Sequence, residues 1–388
     1  MKLRSTLIAM LAAAAVAVVV PVTAAARARG EVRVVTLIPT PGYPALPHLM
    51  GGYLFEGTYD SPSGSSLPSR VLQYTSFGEL VNSWTVAGQD TSQPHGVQVA
   101  ANDSRGRLLL LDKTSGRIIR LDTRTGDQTL YAHIPQVPTC SSAAPGATCK
   151  QAVQDLAPMP DYAAWGPDGS LYVTDYQQAS IWRIPPGGGT PQLWLTDRLL
   201  DGGQFGTGCI LMMPDHHTLL FDQASNAGLG DLNPTTGKLY ELPIQPGGRP
   251  GQLKRLWESG PADAPDGCSL SRAGHIYVAL VGASNQIVEL DSSGQELTRF
   301  GTQYTGANNS TVPFDSPSGL AYVGTSLIIA NQSYAAGNAA NQALLGLETA
   351  EPGATVYVPA NAGVKPPVKP NAPVKHKPPR RKRRRRGR

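Results

Sequence analysis

Residues 265–294 read PDGCSLSRAGHIYVALVGASNQIVELDSSG. A Pro-Asp-Gly start leads to a turn at Ala273-Gly274. The apolar run Ile276-Tyr277-Val278-Ala279-Leu280 follows, then a polar gap, the run Ile287-Val288-Glu289-Leu290 and a closing Asp-Ser-Ser-Gly turn. Short runs of β-branched, aromatic and aliphatic residues between Gly, Asp and Ser predict strands. The unit recurs. Residues 95–126 read HGVQVAANDSRGRLLLLDKTSGRIIRLDTRTG, and 161–184 read DYAAWGPDGSLYVTDYQQASIWRI. Segments 207–237 and 317–333 carry the same order of strand, turn and strand. Units start near residues 52, 95, 161, 207, 265 and 317.

Strand units repeated at roughly 55 residues predict a β-propeller. The chain should be all-β: a six-bladed propeller of four-stranded antiparallel blades over residues 27–362. A pair of β-sandwiches is the alternative. With 42 glycines and 34 prolines, every long window is interrupted, which excludes a helical bundle. The extended segment Arg33–Ile38 should close the ring against the last blade, near Val356-Tyr357-Val358.

In a propeller the first strand of each blade lines a central channel, and its start faces one mouth. That rule nominates His95, Asp161, Gly208, Asp266 and Ser318, with Cys209 beside Gly208. Asp161, Asp266 and His95 together offer oxygen and nitrogen ligands for an ion. A histidine ligand would favour a transition metal over calcium. Each has a plainer role open to it. His95 could bond a loop backbone, and Asp266 could be turn chemistry. Asp168 and the pair His216-His217 fall at turns between strands and read as solvent-facing. No G-x-S-x-G elbow and no H-E-x-x-H motif occurs, so serine-triad hydrolysis has no support.

The 388-residue chain has a formal net charge of +5 and a pI near 9.0. The charge is unevenly spread. Residues 1–29 hold four basic residues and no acid, and 365–388 hold twelve and no acid. The stretch between them keeps 17 basic and all 28 acidic residues, a net −11. An acidic body argues against a nucleic-acid partner.

Lys2 and Arg4, the apolar run Leu7–Val20 and Ala24-Ala25-Ala26 form the three parts of a secretory signal peptide, residues 1–26. An uncleaved anchor is the alternative, although the run is short for a span of about 20 residues. No later segment is apolar enough to cross a bilayer. The mature protein should be secreted or associated with the cell envelope. The Ala, Gly, Pro and Arg bias suggests a bacterial source.

Four cysteines suit an oxidising compartment. Cys140 and Cys149 share one long insertion, 135–160, and should pair. Cys209 and Cys268 are either a disulfide between neighbouring blades or two buried thiols. Segments 135–160, 244–264 and 334–350 are candidate loops over the mouth. Residues 363–388 form a disordered Pro/Lys/Arg tail. Behind a signal peptide, its partner should be an anionic cell-wall polymer or lipid headgroups, if it has one.

The block Pro265-Asp266-Gly267-Cys268-Ser269-Leu270, with Ala273-Gly274-His275-Ile276-Tyr277-Val278-Ala279, resembles a repeat of the senescence-marker-protein/gluconolactonase family. Strictosidine-synthase-like and NHL-type propellers are its siblings. The resemblance spans residues 95–330 as pattern. It implies a six-bladed propeller with one divalent cation, usually calcium, held at the mouth by a Glu, an Asn and the Asp matching Asp266. Such an ion can polarise a lactone carbonyl and activate water. Here Gly208 stands at the Asn position, and no glutamate lies between Glu31 and Glu56. Two functions follow: a binding protein that takes a small molecule or partner at the mouth, or a divalent-metal-dependent lactonase or related hydrolase with Asp266 as ligand.

Overall fold

A computed structural model describes residues 27–39, 42–60, 66–113, 115–203, 205–224 and 236–366. The signal segment 1–26 and tail residues 367–388 lie outside the described residues. Six antiparallel sheets surround one axis. Blade 1 comprises Tyr43–Pro44, His48–Met50, Tyr53–Tyr59, Arg70–Thr75 and Leu80–Thr85. Blades 2, 3 and 5 span Val97–His133, Pro160–Thr196 and Pro265–Phe300, with four strands each. Blade 4 runs from Ile210 to Glu258. Blade 6 takes three strands between Pro317 and Glu348 and a fourth, Val32–Leu37, from the other end of the chain. This is the expected six-bladed, all-β architecture.

The second strand of a blade is covered on both faces, so its sequence is apolar almost throughout. Every residue of Leu108–Asp112, Leu171–Asp175 and Ile276–Leu280 is buried. Outermost strands such as Leu80–Thr85 are largely exposed. The core lies between blades. Leu109, Leu111, Trp165, Leu171 and Trp182 join blades 2 and 3. Tyr277, Ile287, Leu327 and Leu345 join blades 5 and 6. Each such side chain contributes about 1.5–3 kcal/mol on burial.

Three expectations need correction. Blade 1 begins at Tyr43, and residues 51–52 are a turn inside it. The closing strand pairs with Ala343–Glu348, Val32 opposite Leu347 and Leu37 opposite Ala343, and not near 356–358. Finally, 244–264 and 334–350 are not simple loops. The first holds Lys254–Glu258 of blade 4 and the second holds Ala343–Glu348 of blade 6.

The segment after blade 6 has another use. It crosses the propeller on the face where first and second strands turn. Arg272 donates its backbone N–H to the Pro352 carbonyl at 2.9 Å in blade 5. Tyr357 stacks on His216 of blade 4, centroids 4.2 Å apart. Asn361 donates to the Asp168 carbonyl of blade 3, and Ser104 of blade 2 donates to the Ala362 carbonyl. We call residues 349–366 the strap. It makes turn residues 168 and 216 its docking points.

The insertion 135–160 joins blades 2 and 3 at the opposite end, where the first strands begin. Cys140 pairs with Cys149, Cα atoms 4.9 Å apart, and Cys209 pairs with Cys268 at 5.6 Å. Cys140 and Cys149 pair as expected, and the choice left open for Cys209 and Cys268 resolves to a disulfide. Among the described residues no helix is long and apolar enough to cross a membrane.

Candidate functional site

Hydrogen bonding defines equivalent positions at the mouth. Just past the second strand of blades 2 to 6, a backbone N–H donates to a carbonyl at the start of the first: Lys113 to Gly96, Tyr176 to Met159, Ala224 to Gly206, Val281 to Ala264, Gln332 to Ser316. Two residues beyond each acceptor stand Gln98, Asp161, Gly208, Asp266 and Ser318. Four of the five nominated residues therefore share one ring. In blade 2 the ring position belongs to Gln98, and His95 lies three residues before it.

Local geometry aims these side chains. In blades 3, 5 and 6 the ladder breaks directly after Pro160, Pro265 and Pro317. A bulge there redirects the next side chain, and a first-position proline sacrifices no needed donor. Gly267 is required by close approach, since a Cβ would stand 2.2 Å from the Ser318 carbonyl oxygen. At Gly208 a Cβ would lie 2.6 Å from Asp222 Oδ1.

His95 is engaged elsewhere. Its Nδ1 and Nε2 face the carbonyl oxygens of Gln93 and Leu67 at 2.9 and 2.8 Å. Two acceptors require two N–H donors, hence the charged imidazolium. Burial opposes that charge, but the two carbonyls and Asp60 outweigh it and raise the pKa. Neither nitrogen offers a lone pair to a metal. Ser318 donates to the Ala45 carbonyl at 2.9 Å and ties blade 6 to blade 1. Cys209 is in the disulfide, and its N–H donates to the Asp266 carbonyl at 3.0 Å.

Asp161, Asp222 and Asp266 gather with Lys113. The Lys113 Nζ contacts Asp161 Oδ1 and lies 3.5 Å from Gln98 Oε1. Its ammonium also sits over the rings of Tyr59 and Tyr176, at 5.8 and 5.5 Å. Asp222 accepts the Gly208 N–H at 2.9 Å through Oδ1. Asp161 Oδ2 and Asp222 Oδ2 are buried and have no hydrogen-bond partner. Tyr162 reaches toward Asp266 without closing a well-aligned hydrogen bond.

Burial, with Asp161 beside it, pushes the Asp266 carboxyl up to about 7, while Lys113 pulls the other way. Burial, then Asp266 and Asp161, drive Asp222 well above the usual carboxylate range. Burial also raises Asp161, opposed by Lys113. Burial and mutual repulsion thus raise the acids of this cluster together, and Lys113 offsets the rise at Asp161 and Asp266.

An aromatic collar continues from this floor. Tyr43 stacks on Tyr59 at 5.2 Å and meets Tyr334 edge-on at 6.0 Å. Tyr176 meets Phe205 edge-on at 6.1 Å. Phe205 and Tyr334 are exposed, 40% and 49%, whereas Asp161 and Asp222 below are buried. The sequence nominated none of Lys113, Asp222, Tyr59 or Tyr176. The repeat register marks Lys113 and Tyr176 as equivalent, and that was the available signal.

The mouth does not fit the implied divalent cation. Such an ion needs several oxygens on one point. Among the described residues Asp161, Asp266 and His95 do not bring three ligand atoms together, and the Lys113 ammonium is held against Asp161. Among the described residues one group places three ligand atoms within 4.8 Å: His275, Glu289 and Glu351, at the strap end of blade 5. This possible ligand cluster is internally compensated. His275 Nδ1 lies 2.7 Å from Glu351 and 3.0 Å from Glu289. Arg29 pairs with the other Glu289 oxygen. Two cavities have linings that include none of the mouth residues named above. One of about 590 Å³ lies beside Asp215, Glu241 and Leu253, and one of about 390 Å³ beside Asp263, Arg299 and Tyr304.

No protein-family model and no curated protein sequence matches the chain. Solved structures do. Regucalcin from Agrobacterium tumefaciens, described as a calcium-binding protein, superposes with a TM-score of 0.55 at 16% identity, over 84% of this chain and 98% of that one. A luciferin-regenerating enzyme gives 0.52 at 11% identity, over 82% and 95%. An auxiliary nutrient binding protein from Bacteroides thetaiotaomicron gives 0.51 at 11%, over 79% and 68%. At these identities the likeness speaks for fold alone. The chain has the fold of the regucalcin-like six-bladed propellers, as its Pro-Asp-Gly repeat led us to expect.

Proposed function

We propose that this chain is an exported propeller that binds a small organic ligand at the channel mouth without a metal. Two buried carboxylate oxygens without partners, Asp161 Oδ2 and Asp222 Oδ2, carry the proposal. A buried acceptor left unpaired costs about 1–3 kcal/mol. A ligand with several hydrogen-bond donors recovers that cost on entry. The aromatic collar supplies flat apolar faces for its body, the usual composition of a small-molecule site. The signal segment and two disulfides support export.

The collar and floor suit a donor-rich molecule such as a polyol or an organic amine. Lewis-acid hydrolysis would need the cation that the ligand set does not fit. The basic tail would then hold the protein at an anionic polymer or lipid surface. The strap lies on the face opposite the mouth.

Ligand-observed NMR with mixtures of simple sugars, polyols and amines tests the proposal. Binding should appear for at least one class and vanish in Asp266→Ala. Turnover of a simple lactone supplied with calcium, zinc or manganese, lost in the same variant, would sink it in favour of the hydrolase.

A further inference from the structure

Lys113 and Asp161 come from different blades, and only the fold brings them together. We infer that the Lys113 ammonium is a tethered cation, occupying the place in the mouth where the resemblance puts a divalent ion. This rests on the metal-free reading above and extends it to a cause. The groups around the ammonium all attract positive charge: the Asp161 carboxylate, the Gln98 amide oxygen and two phenol ring faces. Lys113 also acts on Asp266 across the cluster. Its four-carbon stem fixes the charge covalently, and no free ion has to be captured.

The substitution changes what the mouth can do. A single positive charge balances one carboxylate, where a doubly charged ion would draw in more than one. The unpaired Asp161 and Asp222 oxygens are then left for a ligand. A lysine ammonium also has no open coordination position at which a carbonyl could be polarised. Lys113 thereby selects binding over Lewis-acid chemistry at a mouth otherwise rich in carboxylates.

Removing the tethered charge should reopen the cation site. The experiment is a calorimetric titration of the mature protein with calcium chloride, then manganese chloride, comparing wild type with Lys113→Met, Lys113→Gln and Lys113→Arg. Wild type and Lys113→Arg should show no saturable binding up to millimolar metal. Lys113→Met and Lys113→Gln should gain one site, at least tenfold tighter than any wild-type signal, and lose it when Asp266→Asn is added. Metal should also raise the melting temperature of these two variants alone, a readout that works even if they are only marginally folded. Metal-blind, folded Met and Gln variants beside a metal-blind wild type would overturn the Lys113 inference and leave the metal-free reading standing. One equivalent bound by wild type and lost in Asp266→Ala would overturn both.

Discussion

Lys113 and Asp161 form a buried ion pair that bridges blades 2 and 3 inside the channel mouth, with the second Asp161 oxygen left unpaired. Removing one member of a buried pair leaves an uncompensated charge, which typically costs about 3–5 kcal/mol. Lys113→Met should therefore destabilise the propeller by about 3 kcal/mol in denaturant melts. Adding Asp161→Leu should recover more than half of that. A double variant as weak as the single would show that packing, rather than charge, was lost.

Asp266 predicts an unusual pH response. Its folded carboxyl is raised to about 7 by burial and by Asp161, far above its unfolded value. Between those values the folded state binds the extra proton, so stability falls as pH rises from about 4 to about 7 and then levels off. Asp266→Asn removes the Asp266 share of that dependence, leaving the share of Asp161 and Asp222. The variant should be more stable than wild type by up to about 4 kcal/mol at pH 8, and nearly equal at pH 4. Denaturant curves at the two pH values decide this, and a variant destabilised at pH 8 would contradict it.

The two disulfides should differ in weight. Cys209–Cys268 spans 59 residues and Cys140–Cys149 spans 9. By loop-closure entropy the longer loop contributes about 1.5 kcal/mol more. Replacing Cys209 and Cys268 by serine should lower stability more than the same change at Cys140 and Cys149. The first pair of changes should also weaken ligand binding, because Cys209 and Cys268 adjoin Gly208 and sit beside Asp266. Equal losses would show that the insertion matters as much as the ring.

The strap is distinct from the tail that follows it. Ala362 is fully buried and Tyr357 packs on the cores of blades 2 to 4. Ending the chain after residue 366 should leave the melting temperature unchanged and abolish binding to anionic vesicles. Ending it after residue 348 should cost several kcal/mol through lost apolar burial. Sedimentation with vesicles and thermal melts separate the two effects.

The fold was legible because each second strand is buried on both faces and shows as an apolar run between turns. Ring closure was half legible. Val32–Leu37 was recognised as the closing strand, but Val356-Tyr357-Val358 is as apolar as a strand while serving as strap, so its partner was misplaced. At the mouth, the first-strand rule found Asp161 and Asp266, and the structure shows that the proline before each marks the bulge that turns it inward. Blade 2 has no such proline, and the register slipped from Gln98 to His95. Lys113 was invisible for a different reason. Its meaning comes from a partner 48 residues away, and no local pattern records a contact made between blades.

The central claim is that the mouth works without a metal, and elemental analysis of the purified mature protein tests it most directly. Calcium, zinc and manganese should each stay well below one equivalent after dialysis without chelator, in wild type and Asp266→Ala alike. One equivalent of a divalent metal in wild type that disappears in Asp266→Ala would contradict it.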